Sequence, residues 1–221
     1  MKLEKAELMH YTKGEEILNV LTHLAGLTIP VLILIQCLPL CKGNAFATVS
    51  CLLYALGTTM TFVASAVYHG LKEGNAKRVF RVIDHTAIFF AVAGTATGCT
   101  PGVFRLGFAF GAVMMLVVAW TGVIAGLILT LFFFEKFKNL RMGLYIGSSA
   151  LTSLLGSGTY FHLPVGAFLT LIFGSAALLI GCVFLMKGKK IPYMHSIFHV
   201  LVVIGLGIYY YGIYNYVFLL L

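Results

Sequence analysis

The sequence predicts an all-α fold: a bundle of seven transmembrane helices, with the N-terminus cytoplasmic and the C-terminus outside. Three observations predict it. Hydrophobic residues make up 60% of the 221 and charged residues 10%, at a mean hydropathy of +0.99; a soluble domain of this size could not cover so much apolar surface. The apolar residues fall into runs of about 20, the length that crosses a hydrocarbon core about 30 Å thick. Thirteen of the 15 basic residues lie on one side of a seven-span path, and the positive-inside rule makes that side cytoplasmic. The runs are continuous and do not alternate polar with apolar, which argues against a β-barrel.

Residues 1–16 form a short polar segment, expected to be helical and to lie at the membrane interface. Residues 17–221 form a single membrane domain, with spans predicted over 17–40, 45–69, 82–100, 104–133, 142–159, 163–186 and 194–218. The small residues "NAFA" at 44–47 resemble a signal-peptide cleavage site. The apolar run before them is longer than the about 7–15 residues of a signal core and starts well inside the chain, so the first span is read as retained. The second span ends in "ASAVYHG", and the third carries Asp84 within "RVIDHTAIFF". Trp120, the only tryptophan, falls in the middle of the fourth and is assigned to packing. The fifth, "MGLYIGSSALTSLLGSGT", is the weakest; its glycines and serines suit close packing against other helices better than contact with lipid. The seventh opens on "HSIFH" and ends in "YYYGIYNYVFLL", a belt of interfacial tyrosines.

The cytoplasmic set comprises Lys2, Lys5, Lys13, Lys72, Lys77, Arg78, Arg81, Lys136, Lys138, Arg141, Lys187, Lys189 and Lys190, with only Lys42 and Arg105 opposite. Membrane orientation therefore accounts for the net charge of +8, and no nucleic-acid partner is needed. Cys37, Cys41, Cys51 and Cys99 map near the outer face and Cys182 near the inner one; none has the spacing of a zinc ribbon, and they are read as small apolar residues. There is no domain boundary, internal repeat or linker after residue 16.

Six of the seven acidic residues, Glu4, Glu7, Glu15, Glu16, Glu73 and Glu135, fall outside the spans, and Asp84 alone enters one. An ionisable residue inside a membrane helix costs about 2.5–3.5 kcal/mol on insertion scales, so it faces the bundle interior with a partner or a task. Arg81, one turn before it, offers the plain reading of a helix-end ion pair. His195 and His199 stand one turn apart on one helical face, as two metal ligands would. Topology adds depth. The second helix ends inside at His69, with Ser65 one turn deeper; the third and seventh helices start inside. Ser65, His69, Asp84, His195 and His199 therefore share one layer, whereas His162 maps to the opposite end. Glu16, Asn19 and His23 also fall in that layer; capping and packing of the first helix is the expected role, with support of the site as the other reading. His85 points about 100° away from Asp84, so at most one of the two is expected to face a common centre.

Three imidazoles, an open fourth position and a nearby carboxylate match a catalytic zinc and not a closed structural one. Zinc lowers the pKa of bound water to about 7. Asp84 is cast as the base that then returns the proton to a leaving group, and Ser65 as the group that orients the water or a substrate carbonyl. Substrates that reach such a bundle are membrane lipids. A membrane-state sensor or receptor with a structural zinc is the alternative. A pore or lytic protein is disfavoured because the middles of the helices hold only scattered Ser, Thr and Gly. Outer loops of about 3–5 residues leave no surface for a large extracellular protein ligand. They also point to a bacterial inner membrane.

"SAVYH" (Ser65 to His69), the Asp of "IDH" and "HSIFH" resemble the Ser-x3-His, Asp and His-x3-His signatures of the hemolysin III proteins, bacterial relatives of the progestin and adipoQ receptors. "EEILNVLTH" at 15–23 and "AIFFAVAGT" resemble that family's first segment and third helix, so the similarity spans essentially the whole chain. The resemblance implies a seven-helix fold with a cytoplasmic N-terminus and a zinc ion (Zn2+) held by His69, His195 and His199. It puts Asp84 beside the metal or its water and Ser65 next to that layer. Its wider superfamily includes the alkaline ceramidases, which implies hydrolysis of a lipid amide. The chain departs from the pattern at "AGTATGCTP", where Pro101 comes late and Ala96 stands where an aromatic is common; this affects the outer end of the third helix and not the metal layer.

Overall fold

A computed structural model describes residues 8–188 and 191–221. Lys2, Glu4, Lys5, Glu7, Lys189 and Lys190 lie outside the described residues. Among the described residues all regular structure is helical, without strands. Seven rods follow one another: α1 (Lys13–Cys41), α2 (Ala45–Gly70), α3 (Asn75–Arg105), α4 (Ala109–Phe132), α5 (Lys138–Leu155), α6 (Val165–Lys187) and α7 (Met194–Tyr216). Short 3₁₀ turns at Ser157–His162 and Phe218–Leu220 complete the chain.

The first three helices begin and bend for local reasons. Thr12 and Glu15 form a capping box at the start of α1, with Glu15 N donating to Thr12 Oγ1 and Thr12 N donating to Glu15 Oε2 at 2.8 Å. Of the helix expected over residues 1–16, residues 8–12 are non-helical and α1 starts at Lys13, while residues 1–7 lie outside the described residues. Farther along α1, Pro39 has no N–H to give Ile35 and its ring crowds that carbonyl. The helix answers with a wide π turn over Ile33–Cys37 and a 3₁₀ turn over Leu38–Cys41. Asn44 caps α2 by accepting from Ala47 N at 3.0 Å.

α3 starts seven residues before the apolar run that predicted it. Its first turns are charged and held by polar partners: Lys77 Nζ donates to Glu16 Oε1 at 2.5 Å and to the Leu71 carbonyl at 2.9 Å, and Arg81 Nη1 donates to Glu135 Oε1 at 2.8 Å. At the other end Pro101 sits inside the helix. The Thr97 carbonyl that it leaves without an N–H accepts from Thr100 Oγ1 at 2.7 Å, so the helix continues to Arg105.

Six rods are long and apolar enough to cross a bilayer, all but α5, and the chain is an integral membrane protein. α5 has 18 residues, about 27 Å at 1.5 Å per residue, and it opens on charged Lys138 and Arg141. Its small residues divide. Ser148 packs where a Cβ on Gly122 of α4 would stand 3.4 Å from it, but Gly143 and Gly147 face open space, so close helix packing accounts for only part of that composition. The connection from α5 to α6, residues 156–164, is also longer than the expected outer loop.

The closest helix crossing is that of α2 on α3. A Cβ on Gly57 would lie 2.2 Å from the Phe90 carbonyl oxygen, and one on Gly94 would lie 2.8 Å from that of Leu53. Small residues let the backbones touch, and contact of this kind drives helix association where there is no water to expel. The crossing also fixes His69, at the end of α2, relative to Asp84, near the start of α3. Gly57→Ala is therefore expected to destabilise the bundle by about 1–3 kcal/mol, read as a lower melting temperature in detergent; an unchanged melting temperature would contradict this packing.

Candidate metal centre

The centre is built at the end of the bundle where α1, α3 and α7 begin and α2 ends. His69 reaches it from the last turn of α2, and His195 and His199 from the first two turns of α7. The three Nε2 atoms form a triangle: 2.9 Å between His195 and His199, 3.1 Å between His69 and His199, and 3.4 Å between His69 and His195. The cluster could hold a metal ion. Three nitrogens bound to one tetrahedral ion at about 2.0–2.1 Å stand about 3.3 Å from one another, so the spacing fits.

The outer nitrogens explain why the inner ones face each other. His69 Nδ1–H donates to Glu16 Oε2 at 2.6 Å, and the Asn19 amide lies 3.2 Å from the same nitrogen. Glu16 is itself held by Lys77. His199 Nδ1–H donates to His23 Nε2. These tautomers are assigned from the partners, and they leave Nε2 of His69 and of His199 with lone pairs turned towards one another. Lone pairs crowded in this way, with His69 and His199 both buried at 2% exposure, suit a cation between them. A carboxylate behind a ligating imidazole is the usual means of orienting it.

Beside the capping and packing expected of them, Glu16 and Asn19 thus contact His69, and His23 contacts His199. The signal was available: positions 16, 19 and 23 share one helical face. The sequence offered nothing for Tyr11, whose ring stacks on His195 at 4.8 Å between centroids and 20° between planes. Tyr11 belongs to the segment before α1. Burial above all, then the neighbouring Tyr68, Asp84 and Glu16, push the pKa of its hydroxyl up, so it covers the centre as a neutral phenol. Glu15 ties the same region to α7, since its Oε1 accepts from Tyr193 N at 2.7 Å, and Tyr193 takes a left-handed φ of 63° just before the helix.

A cavity of about 680 Å³ opens beside the centre. His23, Ser65, Asp84, His85, His195 and His199 line its near end. Asp84 and Ser65 are thus brought to the histidines. The Ser65 hydroxyl is buried with no hydrogen-bond partner, and Asp84 Oδ2 stands 3.7 Å from His85 Nδ1. The ion pair of Asp84 with Arg81 does not form; Arg81 turns to Glu135 instead. His85 lines the cavity together with Asp84, because the cavity wraps a broad sector of α3, and neither belongs to the cluster of three nitrogens. His162 lies in the turn after α5, at the opposite end, as its position implied. All five cysteines are free thiols, and Cys37, Cys41 and Cys51 are packed into the apolar core.

The support for His69 is directly testable. Glu16→Gln keeps a hydrogen-bonding amide and removes the charge behind the imidazole. It is expected to weaken metal binding by about 10- to 100-fold in competition with a chelator; an unchanged affinity would show that Glu16 does not act on the ligand.

Comparison with known proteins gives the arrangement a family. A model described as haemolysin-III related matches residues 11–210. The chain is 29% identical over 199 residues to a hemolysin-3 homolog of Bacillus subtilis (strain 168), covering 88% of this chain and 91% of that protein. It is 28% identical over 218 residues to a hemolysin-3 of Bacillus cereus, covering 97% of each. The match reaches from Tyr11, over the centre, past the histidines of both α2 and α7, and the chain belongs to the haemolysin-III related family.

Proposed function

We propose that the chain is a zinc-dependent hydrolase of membrane lipids, with an amide bond as the favoured target, acting at the cytoplasmic side of a bacterial inner membrane. The observation that carries this reading is the triangle of imidazole nitrogens at one end of a long cavity, with one carboxylate and one unpartnered hydroxyl beside it. Three neutral nitrogens with room for a fourth ligand suit zinc. When bound, zinc supplies a Lewis acid that makes water a nucleophile near neutral pH. Asp84 takes a proton from the attacking water and passes it to the amide nitrogen as the C–N bond breaks, leaving a carboxylic acid and an amine. Ser65 orients the water or the substrate carbonyl. The rest of the cavity, lined mainly by apolar side chains of α3, α5, α6 and α7, takes the acyl chain. Partners in this reading are lipids, with no part for nucleic acid or a large extracellular protein.

The orientation follows from the charges. Lys72, Lys77, Arg78, Arg81, Lys136, Lys138, Arg141 and Lys187 gather where α2, α4 and α6 end and α3, α5 and α7 begin, which supports a cytoplasmic N-terminus. α5 counts as a seventh crossing in this scheme, because α4 ends and α6 starts at opposite ends of the bundle. The C-terminus is then outside, residues 17–221 form one membrane domain, and residues 8–16 lie at the interface.

A sensor with a structural zinc is the second reading, favoured by one observation. α1 packs along both α2 and α7, which make at most fringe contact with each other, so an ion held by His69, His195 and His199 would tie the two together. Fatty-acid release from a panel of amide and ester lipids separates the readings. The hydrolase is expected to release acid from at least one amide lipid and to stop on chelation. Metal-loaded protein that releases nothing from any lipid would contradict it and leave the sensor.

A further inference from the structure

The middle of the cavity carries polarity that a plain hydrocarbon chain would not use. Thr95 of α3 lines it, and its hydroxyl is buried without a hydrogen-bond partner. A hydroxyl away from water costs free energy unless bonded, and a helical threonine ordinarily bonds the carbonyl one turn back. Thr86 and Thr97 of the same helix do so, to Val82 and Ala93 at 2.8 and 2.6 Å. Thr95 does not. Among the described residues Thr130 is the other threonine so placed, and it does not line the cavity.

From the adjoining helices, Ser175 of α6 and Tyr209 of α7 also line the cavity, and their hydroxyls share one hydrogen bond of 2.7 Å in which either can donate. Two hydroxyls joined by a single bond keep one proton to give and lone pairs to accept. Counted by helical rise from the histidine layer, the three groups fall near one height. Tyr209 is ten residues beyond His199 and Thr95 eleven beyond Asp84, about 15 and 16 Å along their helices. Ser175 is fixed at the level of Tyr209 by their contact.

The geometry points to a second binding station in this layer, which takes a hydroxyl or keto oxygen carried partway along an acyl chain whose head lies at the histidine centre. At about 15 Å, the oxygen falls roughly a dozen carbons from the head in an extended chain. This rests on the reading of the cavity as the seat of a lipid chain and specifies which chains it prefers. Thr95 and the Ser175–Tyr209 pair supply a donor and acceptors to that oxygen, and a plain chain leaves them unsatisfied.

The test uses the metal-loaded full chain in detergent and measures displacement of a fluorescent fatty acid by stearate, 12-hydroxystearate and 6-hydroxystearate. 12-Hydroxystearate is expected to bind about fivefold more tightly than stearate, the worth of one hydrogen bond, and 6-hydroxystearate to gain nothing. Thr95→Val and Tyr209→Phe should each bring the ratio of 12-hydroxystearate to stearate close to one. Equal binding of the three acids, or a preference that survives in the double variant, overturns the proposal. So does failure of every acid to bind, which also removes the chain from the cavity. Hydrolysis is read separately by acid release, so a protein that prefers 12-hydroxystearate and cleaves no lipid keeps this station and loses the hydrolase.

Discussion

His199→Ala is expected to reduce bound zinc to background while the protein remains monodisperse. The substitution removes the nitrogen that lies closest to both other ligands, 2.9 Å from His195 and 3.1 Å from His69. It also leaves His23 without the imidazole it supports. Two neutral imidazoles with no carboxylate among the ligands hold zinc poorly against a chelator. Stability gives an independent readout. An ion bound only by the folded state stabilises it by mass action, so chelation should lower the melting temperature of the wild type and leave that of His199→Ala unmoved. A variant that retains zinc at full occupancy would remove His199 from the centre.

Asp84→Asn is expected to separate binding from chemistry. The side chain keeps its shape, and His69 and His199 keep their own supports in Glu16 and His23, so zinc content should stay at the wild-type level. Acid release should fall by about 10²- to 10⁴-fold, the usual worth of a positioned acid–base group. Release at the wild-type rate would exclude Asp84 as the base, and loss of zinc would make it a ligand instead.

The helices and the layer of the site were legible in the sequence because both follow from length and topology. Apolar runs set the number of rods, and the chain's alternation between the two ends brought His69, Asp84 and the His195–His199 pair to one end without any knowledge of packing. What the sequence hid depended on rotation and on polar partners. The charged start of α3 reads as a loop until Lys77 is seen bonded to Glu16 and Arg81 to Glu135. Glu16 and His23 look like ordinary residues of a helix start, and their part depends on how α1 turns against α2 and α7. Tyr11 lies in a stretch with no periodicity, and nothing local announces its stacking on His195. α5, the weakest of the expected spans, is less apolar than the other six because its glycines and serines are only mildly apolar and Lys138 and Arg141 belong to the helix itself.

The most direct test is a zinc-edge anomalous difference map from crystals of protein purified without chelators. The account predicts a single peak among the Nε2 atoms of His69, His195 and His199, at about 2.0–2.1 Å from each. A map with no peak there, or with the three imidazoles turned away from one another, would contradict it.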